Sequence, residues 1–289
     1  MSTAVVQSSE LDLGVGSAYN FQKDKSECAF NVLKKVCTPI DHLKKILKSL
    51  GETAETPEKA LSKLKSHLKC TTEMCVIDSS EAKDALSYSD RQMILKSSFK
   101  PLGPNKETDW LSNFEIDDVL DQIAKKYPSF LHLHFHMRDF AKNPPGTLNL
   151  ATLDFPAEMK KGKTTFGVII NTDSSRGNGI HWFSIFGDFS RQPYTIEYFN
   201  SSGDLPLPEI SEWMRNAGAK WAAALGTYIP QVIVSDITYQ DDNYSCGTYS
   251  LYYIMSRLAN TQMLYFSRNK AVINDDLMTQ FRRYIFRNL

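Results

Sequence analysis

The stretch Asp242-Asn243-Tyr244-Ser245-Cys246-Gly247-Thr248-Tyr249 puts one cysteine on the step from a polar loop to an apolar run. Apolar and small residues follow at 249, 250, 253, 254 and 258, one broad face of a helix, so Cys246 is expected to open a largely buried helix. A thiol there meets the positive end of the helix dipole and unpaired backbone N–H groups, both of which favour the thiolate. That is how a nucleophile is prepared. Gly247 removes side-chain bulk where a substrate backbone has to come close. A base is best sought at the edge of a strand. In Gly177-Asn178-Gly179-Ile180-His181-Trp182 the Asn-Gly pair is a turn signal, and His181 opens the strand that follows. The next strand ends Tyr198-Phe199-Asn200, and an amide oxygen at its lip can accept from the imidazole and fix its tautomer. Gln240, six residues before Cys246, is a candidate donor to a developing oxyanion, together with the Cys246 backbone N–H. The chemistry is acyl transfer through a thioester. A lone cysteine is commonly only a small buried hydrophobe, and it is the set of four that carries the reading.

Two kinds of element must position these residues. The first half of the chain is lysine-rich and helical in pattern, with helices expected over Asp41–Leu50, stopped by Gly51, over Pro57–Lys69, capped by Thr56, and over Ser79–Ser98. Residues 1–25 are polar and aperiodic, and 100–108 carry the Pro/Gly punctuation of a linker. Beyond it an amphipathic helix is expected over Asn113–Tyr127, then strands at 130–137, 164–172, 181–189, 194–200 and 231–239. Helices over Glu209–Leu225, Cys246–Leu258 and Asp275–Arg287 interrupt and follow them, so the class is α+β rather than regular βαβ.

Composition excludes some partners. With 33 basic and 33 acidic residues the formal charge is zero, so no global field draws the chain to a polyanion. The lysine-rich helices, with Lys44, Lys45, Lys48, Lys59, Lys63, Lys65 and Lys69, read as solvated faces, and contact with nucleic acid is left possible but unsupported. The N-terminus lacks a basic segment followed by an apolar one, and no apolar run reaches spanning length, so a soluble, unexported protein with no membrane partner is expected. The five cysteines, Cys28, Cys37, Cys70, Cys75 and Cys246, are odd in number and widely spread, which suits reduced thiols in the cytosol. His132, His134 and His136 alternate along one strand and invite a metal. No acid or cysteine stands at a short ligand spacing from them, so no metal and no cofactor is expected.

His-Trp at the start of one strand, aromatic-Asn-Ser at the end of the next, then Gln-x5-Cys-Gly leading into a helix resembles the Ulp1/adenain clan of SUMO-protease-like cysteine peptidases. Within it, the stretches WLSNFEIDDVL, NTDSSRGNGIHW, IEYFNSSG, CGTYSLYYI and FRRYIFR are similar to the polyprotein-processing proteases of African swine fever virus and related large DNA viruses. The resemblance covers most of residues 101–289, with a weaker echo around Cys75. It implies a catalytic core at 106–289, a central mixed sheet flanked by helices, behind a helical arm domain at 1–105. It also implies cleavage of viral polyprotein precursors after Gly-Gly during virion maturation, in the host cytoplasm and in the virion. Cys246 would be the nucleophile, His181 the base and Asn200 the orienting residue, with Gln240 in the oxyanion hole. The viral proteases place a Gln three residues before the cysteine, where this chain has Asn243, which stays an alternative donor. Trp182, by itself an ordinary core residue, resembles the tryptophan that roofs the clan's narrow substrate tunnel, and a roofed slot favours glycine. Two other activities share the fold: removal of ubiquitin-like modifiers, whose tails also end Gly-Gly, and Cys-His acetyl transfer. The sequence leaves the oligomeric state open. The chain itself holds no Gly-Gly dipeptide, so no self-cleavage at such a site is expected, and the intact mass should stay constant on incubation. A fragment arising from the chain's own active site would sink this.

Overall fold

The computed structural model describes residues 26–30, 35–142 and 148–289, so the expectation for residues 1–25 lies outside it. The chain divides between Gly103 and Pro104 into two compact units, and Ile285–Asn288 belong with the first of them.

The described part of the first unit is built from α1 (Ile40–Ser49), α2 (Pro57–Leu68), α3 (Glu73–Asp78), α4 (Ser80–Ala85) and α5 (Tyr88–Ser97). Gly51 follows α1 at φ 73°, the left-handed backbone that glycine tolerates and a helix stop uses. Thr56 caps α2 by accepting from the Lys59 N–H, with Pro57 in the first turn. The single helix expected over 79–98 is two. Ser79 and Ser87 each turn a hydroxyl onto the amide three residues on, and each oxygen starts a new helix. Leu43, Ile46, Leu64, Val76, Ile77 and Phe99 form the core of this unit. Glu73 is buried against it and takes the amides of Cys37 and Thr38. Arg287 donates to the carbonyls of Leu95 and Lys100, while Asn288 and Gly103 bond each other reciprocally, so the linker is pinned from the C-terminal end.

The cysteines correct the expectation of reduced thiols. Cys28 pairs with Cys37 and Cys70 with Cys75, leaving Cys246 free. The local folding explains the pairing: Cys28 is held by its bridge to Phe99 beside the Cys37 loop, and the turn from α2 into α3 doubles Cys70 back on Cys75. The Cα atoms come within 4.9 and 5.6 Å, inside bridging range. The inference of a reducing compartment from thiol usage loses its ground.

The second unit runs α6 (Asn113–Lys126), β1 (Phe130–His132), β2 (His136–Met137), α7 (Phe155–Met159), β3 (Thr165–Asn171), β4 (Trp182–Asp188), β5 (Thr195–Phe199), α8 (Pro208–Leu225), β6 (Gln231–Val234), α9 (Cys246–Leu258), α10 (Met263–Arg268) and α11 (Asp275–Ile285). The strands form a mixed sheet in the order β1-β3-β4-β5-β6, antiparallel across β3-β4-β5 and parallel at both edges, with β2 also beside β3. The α+β reading holds. The strand expected over 130–137 is broken in two, because the Phe135 amide leaves the sheet for the Asp117 carboxylate. Period-two alternation sends Phe166, Val168, Ile170, Phe183, Ile185, Ile196 and Tyr198 to one face, where Ile210, Met214 and Trp221 of α8 cover them. Glu197 and Phe199, of opposite parity, meet Tyr253 of α9 on the other face. With both faces covered, the central strands are apolar almost throughout and rigid enough to carry a site at their ends. No helix among the described residues is long and apolar enough to cross a membrane.

Candidate active site

Cys246 is the first residue of α9 and only 3 % exposed. The loop before it is shaped by two carboxylates. Asp242 accepts from the Tyr244 and Ser245 amides and from the Ser245 hydroxyl. Asp275, at the start of α11, accepts from the amides of Asp241 and Asp242 and from the Tyr249 hydroxyl. Sequence reasoning missed both. Asp242 was within reach, since an aspartate two and three residues before the amides it takes has the spacing of an Asx turn. Asp275 was not, because nothing local links it to a loop more than thirty residues earlier.

The sulfur lies against the His181–Trp182 step. Burial pushes the Cys246 thiol above its ordinary range, the amides of Trp182, Gly247 and Cys246 itself pull it back, and the charge of Asp242 adds to the rise. The rise wins, which corrects the expectation that the helix terminus alone would store a thiolate. A raised value means that the protonated form persists at neutral pH and the thiolate accumulates only as pH climbs past the ordinary thiol range. Alkylation of Cys246 by iodoacetamide, without substrate, should therefore inflect above about pH 8.5. A rate already level near neutrality would overturn this.

His181 ends the loop at 172–181, and its carbonyl accepts from the Thr172 amide. Its Nε2–H donates to Asn200 Oδ1 at 2.6 Å, which in the neutral imidazole puts the lone pair on Nδ1. The Asn200 amide cannot flip without loss. Its Nδ2 donates to the Tyr198 hydroxyl and the Asp204 carbonyl, while Oδ1 also accepts from the Ser202 amide and hydroxyl. Asn200 is 1 % exposed, so each of these bonds would be costly to break. Gln240 stands on the far side of the same turn. Its Oε1 accepts from the Ser201 hydroxyl at 2.7 Å and its Nε2 donates toward the carbonyl and carboxylate of Asp242, both at 3.0 Å. Asn243 is exposed on the loop.

Trp182 is 7 % exposed, with its indole N–H donated to the Leu111 carbonyl at 2.9 Å and its ring edge-on to Phe135. A Cβ on Gly247 would sit 3.1 Å from Leu111 Cβ and 3.3 Å from Trp182 Cδ1. Glycine suits this position because the chain's own indole and leucine close over it and would have to give by a few tenths of an ångström to admit a Cβ, a nearer cause than the substrate backbone invoked from sequence. A cleft of about 580 Å³ opens beside the indole, walled by Trp110, Phe135, Met137, Asn171 and Gly179. Leu111 was not singled out from sequence, since it stands 71 residues from the indole it anchors.

The three histidines separate. His136 is buried, with Nδ1 on the His134 carbonyl and Nε2 accepting from the Leu150 amide. His132 and His134 turn instead to α6, where Asp117 and Asp121 supply the acids that the local sequence lacks.

No family model matches the chain. A cysteine protease from the Badajoz strain of African swine fever virus is 32 % identical over 274 residues, covering 91 % of this chain and 95 % of the relative. Its counterpart from a Kenyan pig isolate of that virus, named a SUMO-1 cysteine protease, has the same identity and coverage. Among solved structures, the crystal structure of the African swine fever virus protease is similar with a TM-score of 0.74 at 29 % identity, over 92 % of this chain and 97 % of that one.

Proposed function

This chain belongs to the SUMO-protease-like viral cysteine proteases of the African swine fever virus type, and on that premise we propose that it cuts viral precursor polyproteins after Gly-Gly during virion maturation, in the host cytoplasm and in the virion. Cys246 Sγ attacks the carbonyl carbon of the second glycine while His181 Nδ1 takes the thiol proton. A thiol stored protonated needs a base at that moment, and Asn200, by accepting from Nε2–H, orients the ring so that Nδ1 is the nitrogen left to receive the proton. The oxyanion is met by the Cys246 N–H, and by Gln240 Nε2 once substrate draws one of its hydrogens away from Asp242, whose carbonyl and carboxylate both accept from it. The C–N bond breaks, His181 returns its proton to the leaving amine, and water activated by the same nitrogen hydrolyses the thioester to a carboxylate and the free thiol.

The observation that carries the Gly-Gly reading is the indole of Trp182, tied by its N–H to Leu111 and closed over Gly247 beside the sulfur. A roof held in that way would disfavour a Cβ on residues threading below it. The test is a set of peptides, Gly-Gly-Xaa and its single Ala replacements, read by mass spectrometry. Each alanine should lower kcat/KM by about a hundred-fold, the scale at which a rigid pocket rejects added bulk. Equal cleavage of all three would sink the reading. The SUMO-1 in one relative's name favours a second substrate, a ubiquitin-like tail, and labelling of Cys246 by a ubiquitin-like suicide probe would support it.

A further inference from the structure

We propose that Asp121, His132 and His134 form a binding site for a divalent transition metal of the zinc class at the corner between α6 and β1. One nitrogen or oxygen from each of the three side chains lies within 4.8 Å of those of the other two. His132 Nδ1 is 3.1 Å from Asp121 Oδ1, and His134 Nε2 is 3.5 Å from the same oxygen. Ligand atoms on a tetrahedral zinc with bonds near 2.0–2.1 Å stand about 3.3 Å apart, so two edges of such a polyhedron are already in place. The third edge closes by a swing of His134, whose side chain is 62 % exposed.

The surroundings are those of a supported site. His132 has only 3 % of its side chain exposed, and its other nitrogen, Nε2, faces Asp117 Oδ1 at 3.4 Å without a good hydrogen bond. With Nδ1 on a metal, Nε2 would carry the proton and donate it in a hydrogen bond to the Asp117 carboxylate, the carboxylate–histidine–metal arrangement that fixes ring orientation and raises ligand basicity. Asp117 is itself held, because its Oδ1 accepts from the Phe135 amide at 2.9 Å. A protonated His132 between two aspartates would explain that pair but not His134, a solvent-exposed imidazole aimed at the same oxygen. The nitrogen and oxygen donors suit zinc better than magnesium or calcium, which prefer all-oxygen shells. The exposed side leaves the fourth position to water and gives the ion a way in. Phe135 follows the site directly and lies edge-on to Trp182, so a bound ion would stiffen the wall of the cleft beside the indole.

The proposal does not depend on which bond the enzyme cuts, and it is tested by binding of the metal alone. The full chain carrying Cys246→Ala, which removes the free thiol as a competing ligand, is stripped with chelator and titrated with zinc by calorimetry and with cobalt(II) by visible absorption. One equivalent should bind, with the intense visible bands of a tetrahedral cobalt complex. His134→Ala, an exposed truncation that leaves the fold intact by circular dichroism, should abolish the bands and weaken zinc at least ten-fold. Asp117→Asn should weaken zinc by about 10–100-fold, the usual effect of losing such a supporting carboxylate, while the bands persist. Absence of stoichiometric binding, or binding indifferent to His134→Ala and Asp121→Asn, would reduce the cluster to an ion-pair network and overturn the proposal.

Discussion

Cys246→Ala should lower turnover of a Gly-Gly-Xaa peptide on the order of 10⁶-fold while leaving its binding nearly unchanged. The expectation rests on two features. First, the covalent route needs one atom, and Cys246 is the only free cysteine sulfur in the structure, buried against the His181–Trp182 step. Second, the parts proposed to hold substrate do not depend on that atom. Trp182 is tied to Leu111, the loop before α9 is tied by Asp242 and Asp275, and Asn200 has its own network. Removing the sulfur therefore leaves a formed cleft without a nucleophile. His181→Ala should cost a similar factor, and the double variant little more than either, because a proposed nucleophile and base of this kind act as one unit. Single-turnover mass spectrometry would show a thioester adduct on wild type and none on Cys246→Ala. Cleavage by the alanine variant within a hundred-fold of wild type would remove Cys246 from the mechanism.

How much of this could be read from the sequence varies with the distance over which each contact acts. The residues of the site stand at element ends with local signals: Asn178-Gly179 before His181, the strand-end Asn200, and the polar-to-apolar step at Cys246. Those signals act within a few residues, and the elements follow them closely. α9 begins at Cys246, and β4 begins one residue after His181. What the sequence hid are contacts made through the fold. Leu111 anchors Trp182, Asp275 holds the loop before Cys246, and Asp117 and Asp121 reach His132 and His134 across the turn out of α6. None has a local period or motif. The thiol shows the same limit in energetic form. A helix N-terminus is visible in sequence, but the burial that outweighs it depends on what packs around α9. The split of 79–98 into two helices was legible in principle, since serines three residues before an amide are capping signals, but the lysine-rich helical texture around them masked the break.

Glu197→Gln should destabilise the second unit by about 3–5 kcal/mol, the scale for leaving one partner of a buried ion pair uncompensated. Glu197 lies on β5 with 1 % exposure. It accepts from Arg257 Nε at 2.6 Å and Nη2 at 2.9 Å, from the Tyr253 hydroxyl at 2.6 Å and from the Thr195 hydroxyl at 2.7 Å. Neutralising it leaves the buried Arg257 guanidinium with Asp188 at 3.4 Å, the Thr261 carbonyl and the ring of Phe186. For a unit of roughly this size each kcal/mol moves the midpoint by about 2–4 °C, so a fall in Tm on the order of 10 °C is expected by calorimetry. Glu197→Met with Arg257→Met should lose less than Glu197→Gln alone, because an apolar pair of similar volume carries no unpaired charge. A shift of under two degrees for Glu197→Gln would show that water or relaxation satisfies Arg257. The consequence reaches the chemistry by position. Tyr253 and Arg257 lie two and three turns along α9 from Cys246, and Glu197 lies three residues before Asn200 on the strand that orients His181. The same bonds hold the helix that begins at Cys246 to the strand that ends beside Asn200. Glu197→Gln should also lose kcat at low temperature, where every chain is folded, with KM little changed. Full kcat under those conditions would confine the network to stability.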